Sequence, residues 1–319
     1  MKTAVSRREF LRLAGVAAAG TLLPWPRSAL SATRRIRFGI QTPQQQVTYR
    51  EILEVWKDAD RLGYDTAFVF DHFIPIFSQD TGGPCFEGWT LLSALATETE
   101  KLHLGVLVTG NTYRYPPVLA KMAVTLDHIS KGRLILGLGA GWFELEHEAY
   151  GIPFYTAGER AKRLVEAVEL IKLLFTQKRS NYQGKYYRLQ DAPFSPKSVQ
   201  KPYPPILIGG MGPKVIQPLA AKHADIWHFF ADGGPSEARA VNERFDALCR
   251  KVGRNPAEVE RAIFLRSAKL EGESSAATVE TVKAYVDAGV QHFIVSLRPP
   301  YNRDLVRRFA EEVVPSFRS

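Results

Sequence analysis

Residues 36–70, IRFGIQTPQQQVTYREILEVWKDADRLGYDTAFVF, decide the fold class. The stretch begins with a β-branched and aromatic run, which predicts a strand. Thr48 and Glu51 then form a capping-box pair that opens a helix, and Gly63 supplies the left-handed backbone that ends it. A continuous apolar run closes the stretch and predicts the next strand. The order strand–helix–strand, with strands that are apolar on both faces, is typical of a parallel sheet.

The same alternation continues to the end of the chain. Further strands are predicted at residues 102–108, 134–138, 205–209, 225–228, 262–270 and 292–297. Further helices are predicted at residues 88–96, 117–129, 158–174, 214–223, 235–252, 276–287 and 302–312. Eight strand–helix pairs predict one α/β domain over residues 32–319, a (β/α)8 TIM barrel. The long irregular stretch at residues 180–204 is predicted to be an insertion over the barrel mouth.

Residues 1–31 are predicted to be a targeting segment. Arg7 and Arg8 form the pair of a twin-arginine export signal, and a weakly apolar run follows at residues 13–23. That run is shorter than the roughly 20 apolar residues that span a bilayer. Small residues at 29–32 suit cleavage by a signal peptidase. The sequence therefore predicts the twin-arginine machinery as a partner, and export to the periplasm or cell envelope.

The composition, 45% hydrophobic and 24% charged residues, is that of a globular protein. The formal net charge is +9, but residues 1–31 hold five basic residues and one acidic residue, and their removal leaves a net of +5. No basic block with interleaved aromatic residues remains, so nucleic-acid binding is not expected. Cys85 and Cys249 lie far apart in the sequence and are expected to be separate thiols.

A TIM barrel builds its active site from the residues that follow each strand. Asp71 and His72 follow the second strand, where a histidine can act as an acid, a base or a ligand. Asp71 with Glu144 is a weak candidate for the carboxylate pair of a glycosidase. The sequence has no H-x-H or H-x-x-E-H motif, so no metal site is expected.

A glycine-rich turn follows the fifth strand and predicts an anion site. Its residues are Gly209, Gly210, Met211, Gly212 and Pro213. Glycines let a backbone approach a ligand closely, and a proline can open the following helix, whose first N–H groups attract a phosphate. The glycines at residues 137–141 lack the G-x-G-x-x-G spacing, which excludes a Rossmann site there.

Several motifs, in order, resemble the luciferase-like monooxygenase superfamily over nearly all of residues 36–315. They are Asp71-His72-Phe73, YRYPP at 113–117, GRLILGLGAGW at 132–142, Glu144, Glu146-His147, YGIP at 150–153, Glu159-Arg160 and PILIGG at 205–210. The resemblance is greatest to the branch that uses the deazaflavin coenzyme F420. It implies a luciferase-like barrel, a homodimer, and F420 or FMN bound at the C-terminal mouth.

The resemblance also implies roles for individual residues. Asp71 and His72 would contact the deazaflavin ring and the substrate, with His72 as the acid or base and Glu144 as a second catalytic candidate. Leu107 and Val108 match the position where related enzymes have a non-prolyl cis peptide that forms a bulge behind the cofactor ring. The other implied cofactor contacts are Thr109, Asn111, Gly139, Gly141, Trp142 and the glycine turn from Gly209 to Pro213. Sugar-phosphate dehydrogenases of the family have a glutamate where Trp142 stands, which argues against a sugar phosphate as substrate.

The sequence therefore predicts an exported F420-dependent oxidoreductase that transfers hydride to or from a small organic substrate. Export favours this interpretation, because the twin-arginine route carries folded proteins and the resemblance implies a tightly held cofactor. Two alternatives stay open. One is an FMN-dependent monooxygenase, and the other is an exported binding protein that uses the barrel mouth without chemistry.

Overall fold

The computed structural model describes residues 35–318, so the predicted export signal lies outside the described residues. The strands are β1 (Arg37–Gln41), β2 (Thr66–Val69), β3 (His103–Val106), β4 (Thr109–Gly110), β5 (Leu134–Gly139), β6 (Arg179–Gln183), β7 (Arg188–Pro193), β8 (Ile206–Gly209), β9 (Ile226–Phe229), β10 (Glu260–Arg266) and β11 (His292–Ser296). The α-helices are α1 (Tyr49–Leu62), α2 (Gly88–Thr97), α3 (Pro116–Ile129), α4 (Glu144–Ala149), α5 (Ala157–Thr176), α6 (Ile216–His223), α7 (Pro235–Lys251), α8 (Ser267–Glu271), α9 (Ser275–Asp287) and α10 (Arg303–Arg308). A π-helical turn (Phe309–Val313) and short 3-10 turns (Pro256–Glu258 and Val314–Phe317) complete this part of the chain. Within residues 35–318, no helix is both long and apolar enough to cross a membrane.

Eight parallel strands close into a barrel, as predicted. They pair in the order β1, β2, β3, β5, β8, β9, β10 and β11. The barrel closes where β11 pairs with β1, with Ile294 opposite Gly39. The short strand β4 pairs with the end of β5 and extends the wall at the mouth.

Apolar side chains fill the barrel interior and the space between the strands and the helices. Seven buried residues pack inside the barrel: Phe68, Leu107, Ile135, Leu207, Ile226, Ala262 and Ile294. Helix α1 shows how the outer layer forms. The Thr48–Glu51 capping box is present, Gly63 ends the helix at φ 79°, and Trp56 is fully buried. The residues predicted from the sequence to start and end this helix do so.

Two predicted segments form a different kind of structure from the one expected. The strand predicted at residues 262–270 ends at Arg266, and helix α8 follows it. Ser267 and Leu270 are three positions apart, so a helix buries both side chains on one face, which a strand would not do. The first part of the stretch predicted to be irregular belongs to an antiparallel hairpin of β6 and β7, and residues 194–204 form neither helix nor strand. Glu166 of α5 accepts hydrogen bonds from the N–H groups of residues 185–187, so the hairpin packs against that helix.

Asp65 ties both ends of the described chain to the N-terminal pole of the barrel. It immediately precedes β2, and its carboxylate accepts hydrogen bonds from the Phe38 N–H at 2.9 Å and from Arg35 Nη2 at 2.7 Å. Arg318 Nη2, near the C-terminus, lies 3.0 Å from the same carboxylate. Residues 35 and 318 therefore meet at the end of the barrel opposite the carboxyl ends of the strands.

Candidate active site

A cavity of about 470 Å³ opens at the carboxyl ends of the barrel strands. Its size is within the range of small-molecule sites. The predicted site residues that line it are Asp71, His72, Leu107, Val108, Gly139, Gly141, Trp142, Gly209, Gly210, Met211 and Gly212. His72 and Gly210 thus line one common cavity, as expected for residues that follow the parallel strands of a TIM barrel.

Four other predicted residues lie outside the cavity lining. Thr109 is buried and its Oγ1 accepts a hydrogen bond from Trp89 Nε1 at 3.1 Å. Asn111 is also buried, and its Nδ2 donates to the Tyr187 hydroxyl at 3.3 Å. Glu144 is exposed at the start of α4, and Pro213 is exposed in the turn before α6. The geometry therefore gives Glu144 no place beside His72.

The carboxylate that reaches His72 belongs to Glu146, on the inner face of α4. Glu146 Oε2 lies 2.9 Å from His72 Nδ1 and also accepts a hydrogen bond from the Tyr113 hydroxyl. Its other oxygen accepts hydrogen bonds from the N–H groups of Phe73 and Ile74. The side chain of Glu146 is fully buried. Every oxygen of this carboxylate is thus occupied by donors from the two loops beside His72.

These contacts determine the state of the His72 ring. Burial alone would raise the pKa of Glu146, but the hydrogen bonds from His72, Tyr113 and the Phe73 N–H outweigh burial and lower it. Burial and the contact with Glu146 raise the pKa of the Tyr113 hydroxyl, so Tyr113 stays the donor. An ionised Glu146 requires a proton on His72 Nδ1, and Nε2 is then the ring nitrogen available to a ligand.

Asp71 is held by Arg114 at the cavity wall. Arg114 Nη1 and Nη2 donate to its two oxygens at 2.7 and 3.0 Å, and the Gly110 N–H donates at 2.9 Å. Arg114 also forms an ion pair with Glu87, the residue that caps helix α2. The bidentate pair with Arg114 therefore holds Asp71 in place, and Asp71 in turn fixes the backbone of Gly110, two residues beyond Val108, by accepting its N–H hydrogen bond.

The wall between β3 and β4 has the bulge implied by the resemblance. The Leu107–Val108 peptide is cis, and the Leu107 carbonyl accepts a hydrogen bond from Gln41 Nε2 at 2.9 Å. Val108 packs onto two glycines of the neighbouring strands. A Cβ at Gly139 would lie 2.5 Å from Val108 Cγ2, and one at Gly209 would lie 2.9 Å from Val108 Cγ1. Only glycine at these positions leaves room for Val108.

The glycine turn leads into α6 later than predicted. Helix α6 begins at Ile216, and residues 213–215 form a turn before it. Gly210 has φ 123°, which favours glycine, and its N–H and carbonyl are bonded to the His228 carbonyl and to Trp227 Nε1. Gln217 Nε2 donates to the Met211 carbonyl at 2.8 Å. The turn is thus held from behind while Gly210, Met211 and Gly212 line the cavity.

Sequence reasoning assigned no role to two residues that also line the cavity, His228 and Arg266. His228 lies in β9, four strands around the barrel from β2, so it faces His72 across the mouth. Its burial, together with the charges of His292 and Arg266, lowers the pKa of His228 to about 3, so the ring is neutral. The sequence signal that could have identified His228 and Arg266 is their position near the carboxyl ends of β9 and β10.

Residues 28–313 match the family model described as luciferase-like monooxygenase. The chain belongs to the luciferase-like monooxygenase family. A luciferase-like relative from Microbacterium testaceum, named F420-dependent glucose-6-phosphate dehydrogenase, is 27% identical over 334 residues, which cover 89% of this chain and 98% of the relative. An FMNH2-dependent dimethylsulfone monooxygenase from Pseudomonas putida is 27% identical over 226 residues, 70% of this chain and 60% of that protein.

A solved luciferase-like structure shares the fold. It is an F420-dependent secondary alcohol dehydrogenase in complex with an F420–acetone adduct. The TM-score is 0.79 at 20% sequence identity, and the match covers 90% of this chain and all of the other. At this identity the likeness establishes the luciferase-like barrel alone.

Proposed function

We propose that this protein is an F420-dependent oxidoreductase that transfers hydride to or from a small organic substrate after twin-arginine export. Membership of a family of deazaflavin and flavin oxidoreductases supports the reaction class. The observation that carries the proposal is the His72–Glu146 pair, which opens onto the same cavity as the glycine turn at Gly210. An oriented base and a backbone cradle for an anionic tail are what such a reaction needs.

The residues present fit a planar ring with a phosphorylated tail. Gly139 and Gly209 form a wall that a Cβ would disrupt, because it would displace Val108 and the bulge beside it. Gly210 and Gly212 leave the turn open to a phosphate. His228 Nε2 is buried and has no hydrogen-bond partner among the described residues. A ligand with a polar edge would therefore find both a cradle and an unpaired polar group.

His72 acts as the proton carrier in this proposal. With Nδ1 held by Glu146, Nε2 accepts the hydroxyl proton of an alcohol, or returns it to the oxygen of a carbonyl compound. Bound F420 supplies the hydride acceptor or donor. Asp71 and Arg114 keep the bulge at Leu107–Val108 in place, and the apolar side chains of these two residues would exclude water from that wall of the cavity.

Trp142 supports a substrate other than a sugar phosphate. It lines the cavity, and its ring packs edge-on against His72 with centroids 5.6 Å apart. A tryptophan offers an apolar face and one N–H donor, and no charge for a phosphorylated sugar. The glucose-6-phosphate dehydrogenase activity named for the relatives is accordingly not proposed for this chain.

FMN is the second candidate cofactor, because a relative is named as FMNH2-dependent. Titration of the purified protein with each cofactor, followed by fluorescence, tests the two. We expect F420 to bind and FMN to bind at least tenfold more weakly. His72→Gln should retain F420 affinity and lose turnover of alcohols, which separates binding from proton transfer.

The opposite result, FMN binding without F420 binding, would overturn the cofactor assignment. A protein that binds neither cofactor, yet binds small molecules, would be the non-catalytic binding protein.

Export and self-association are further parts of the proposal. Residues 1–34 fused to a folded reporter should direct it across the membrane, and replacement of Arg7 and Arg8 by lysine should abolish that transfer. The family resemblance also implies a homodimer. Light scattering of the processed protein should then give twice the mass of one chain, which is 35.7 kDa before the signal is removed. Retention of the reporter in the cytoplasm would contradict the export proposal. A monomer in solution would contradict the homodimer.

A further inference from the structure

Three aromatic side chains form an exposed rim around the cavity mouth. They are Phe77, Trp142 and Phe230, which are 48%, 61% and 43% exposed, and all three line the cavity. They come from the segments that follow β2, β5 and β9, and β5 is two strands around the barrel from each of the other two, so they lie at three separate points of the opening. Exposed apolar groups gathered at one opening mark a binding surface more often than scattered ones do.

Asp71 and Arg266, the two fully charged side chains that line the cavity, already have partners of opposite charge. Asp71 is bound by Arg114. Arg266 lies 3.2 Å from Asp232, and its guanidinium is 5.8 Å from the centre of the Phe230 ring. His228 is neutral because burial lowers its pKa to about 3. Among the described residues that line the cavity, each fully charged group is therefore matched by an opposite charge, and an anionic substrate would have to displace Asp232 from Arg266.

The rim begins directly beside the proton carrier. The Trp142 and His72 rings meet edge-on at an interplanar angle of 74°, with centroids 5.6 Å apart. Phe143 packs against both rings, at 5.1 Å from Trp142 and 5.8 Å from His72. A substrate whose reacting oxygen meets His72 Nε2 therefore has the Trp142 ring within reach of its adjoining carbons. A longer chain would extend from there towards the aromatic rim.

We infer that the substrate is an uncharged, largely apolar alcohol or carbonyl compound whose carbon chain lies on the rim of Phe77, Trp142 and Phe230. This inference rests on the proposed function for its reaction. In the oxidation, the carbinol C–H bond breaks and its electron pair passes as hydride to oxidised F420, which is reduced. The O–H proton passes to His72 Nε2, and the carbon–oxygen bond becomes a carbonyl. Reduction of the carbonyl compound runs the same transfers in reverse.

A homologous series of 2-alkanols from three to twelve carbons, assayed by the reduction of F420, tests the substrate class. Each methylene group that reaches the rim should raise kcat/KM about three- to fourfold, until the rim is covered. A terminal carboxylate or phosphate on the same chain should lower kcat/KM at least tenfold. A kcat/KM that does not change with chain length, or that is highest for the anionic compounds, would overturn the inference.

Variants locate the effect at the rim. Phe77→Ala should flatten the dependence on chain length, and Phe77→Leu should restore most of it, because leucine keeps an apolar surface. Tyr115→Ala is the matched control, since Tyr115 is an aromatic residue that is 57% exposed and lies outside the cavity lining. A chain-length dependence unchanged in Phe77→Ala and in Phe230→Ala would show that the rim does not bind the substrate.

Calorimetry with 2-alkanones, with and without F420, separates the two proposals. F420 affinity reports on the proposed function alone. Alkanone affinity that rises with chain length, and falls in Phe77→Ala, supports the apolar rim even if F420 does not bind. Alkanone affinity that is independent of chain length counts against the rim even when F420 binds and is reduced.

Discussion

His72 Nδ1 and Glu146 Oε2 lie 2.9 Å apart, and Tyr113 donates a hydrogen bond to the same glutamate oxygen. Glu146 thus sets the tautomer of the proposed base without entering the cavity lining itself. It is a positioning residue that acts through His72.

Replacement of Glu146 by glutamine tests this role. The amide can still accept a hydrogen bond but no longer carries the charge that stabilises a protonated His72. We expect kcat for alcohol oxidation to fall by about 10²-fold, with F420 affinity unchanged, because the amide no longer stabilises the proton that His72 accepts. Glu148→Gln, on the exposed face of the same helix, is the control. Equal kinetics in the two variants would exclude the role.

The pairing of Asp71 with Arg114 predicts a double-mutant effect on stability. Arg114→Met leaves Asp71 as a buried carboxylate without a cation, and we expect the free energy of unfolding to fall by about 3–5 kcal/mol. The double variant Asp71→Asn with Arg114→Met should recover a substantial part, because the fully buried carboxylate is gone and the only carboxylate left without Arg114 is Glu87, whose side chain is 37% exposed. Urea denaturation measures both values. If the double variant is less stable than Arg114→Met, the carboxylate is not the source of the loss.

Substitutions at Val108 and Gly139 should have coupled effects on the free energy of unfolding. Gly139→Ala places a Cβ about 2.5 Å from Val108 Cγ2, so we expect a loss of about 1–3 kcal/mol in unfolding free energy and weaker F420 binding. Val108→Ala in the same chain removes the clashing methyl groups and should restore part of the stability. Gly158→Ala, where a Cβ meets nothing within 4 Å near the start of α5, is the control and should be neutral or slightly stabilising. Additive single-variant effects would contradict the packing of Val108 on this glycine.

Acid should destabilise the fold through His228. Its pKa in the folded protein is about 3, against an ordinary value of 6.5, so between these pH values the unfolded chain binds a proton that the folded chain does not. Stability attributable to this group is therefore complete above about pH 6.5 and decreases as the pH falls. His228→Gln should reduce the slope of unfolding free energy against pH by up to about 1.4 kcal/mol per pH unit. His128→Gln, at an exposed histidine, is the control, and an identical slope in both variants would argue against a neutral buried His228.

The barrel could be predicted because its evidence is local. Thr48, Glu51 and Gly63 set the ends of α1 by contacts within the helix, and each strand is a short apolar run between breakers. The strand predicted at residues 262–270 was too long because Leu270 continues the apolar pattern of the strand in the sequence. In the structure the strand ends at Arg266, and Ser267 and Leu270 are buried on one face of the short helix that follows.

The site was predictable only in part, because its partners are distant in sequence. Asp71 and His72 follow a strand, and that position alone places them at the mouth. Glu144 and Glu146 both follow β5, and the face of α4 that points inward decides which of them reaches His72. Arg114 lies 43 residues from Asp71, and no local pattern joins the two residues.

Asp65 joins Arg35 and Arg318 at the pole opposite the aromatic rim. Arg35, the first residue that the structure describes, therefore lies at the base of the barrel, away from the cavity entrance. A surface anchor attached at Arg35 or Arg318 would hold the barrel with its entrance facing away from the attachment point. Immobilisation at this pole is accordingly the orientation that keeps this enzyme open to its substrates.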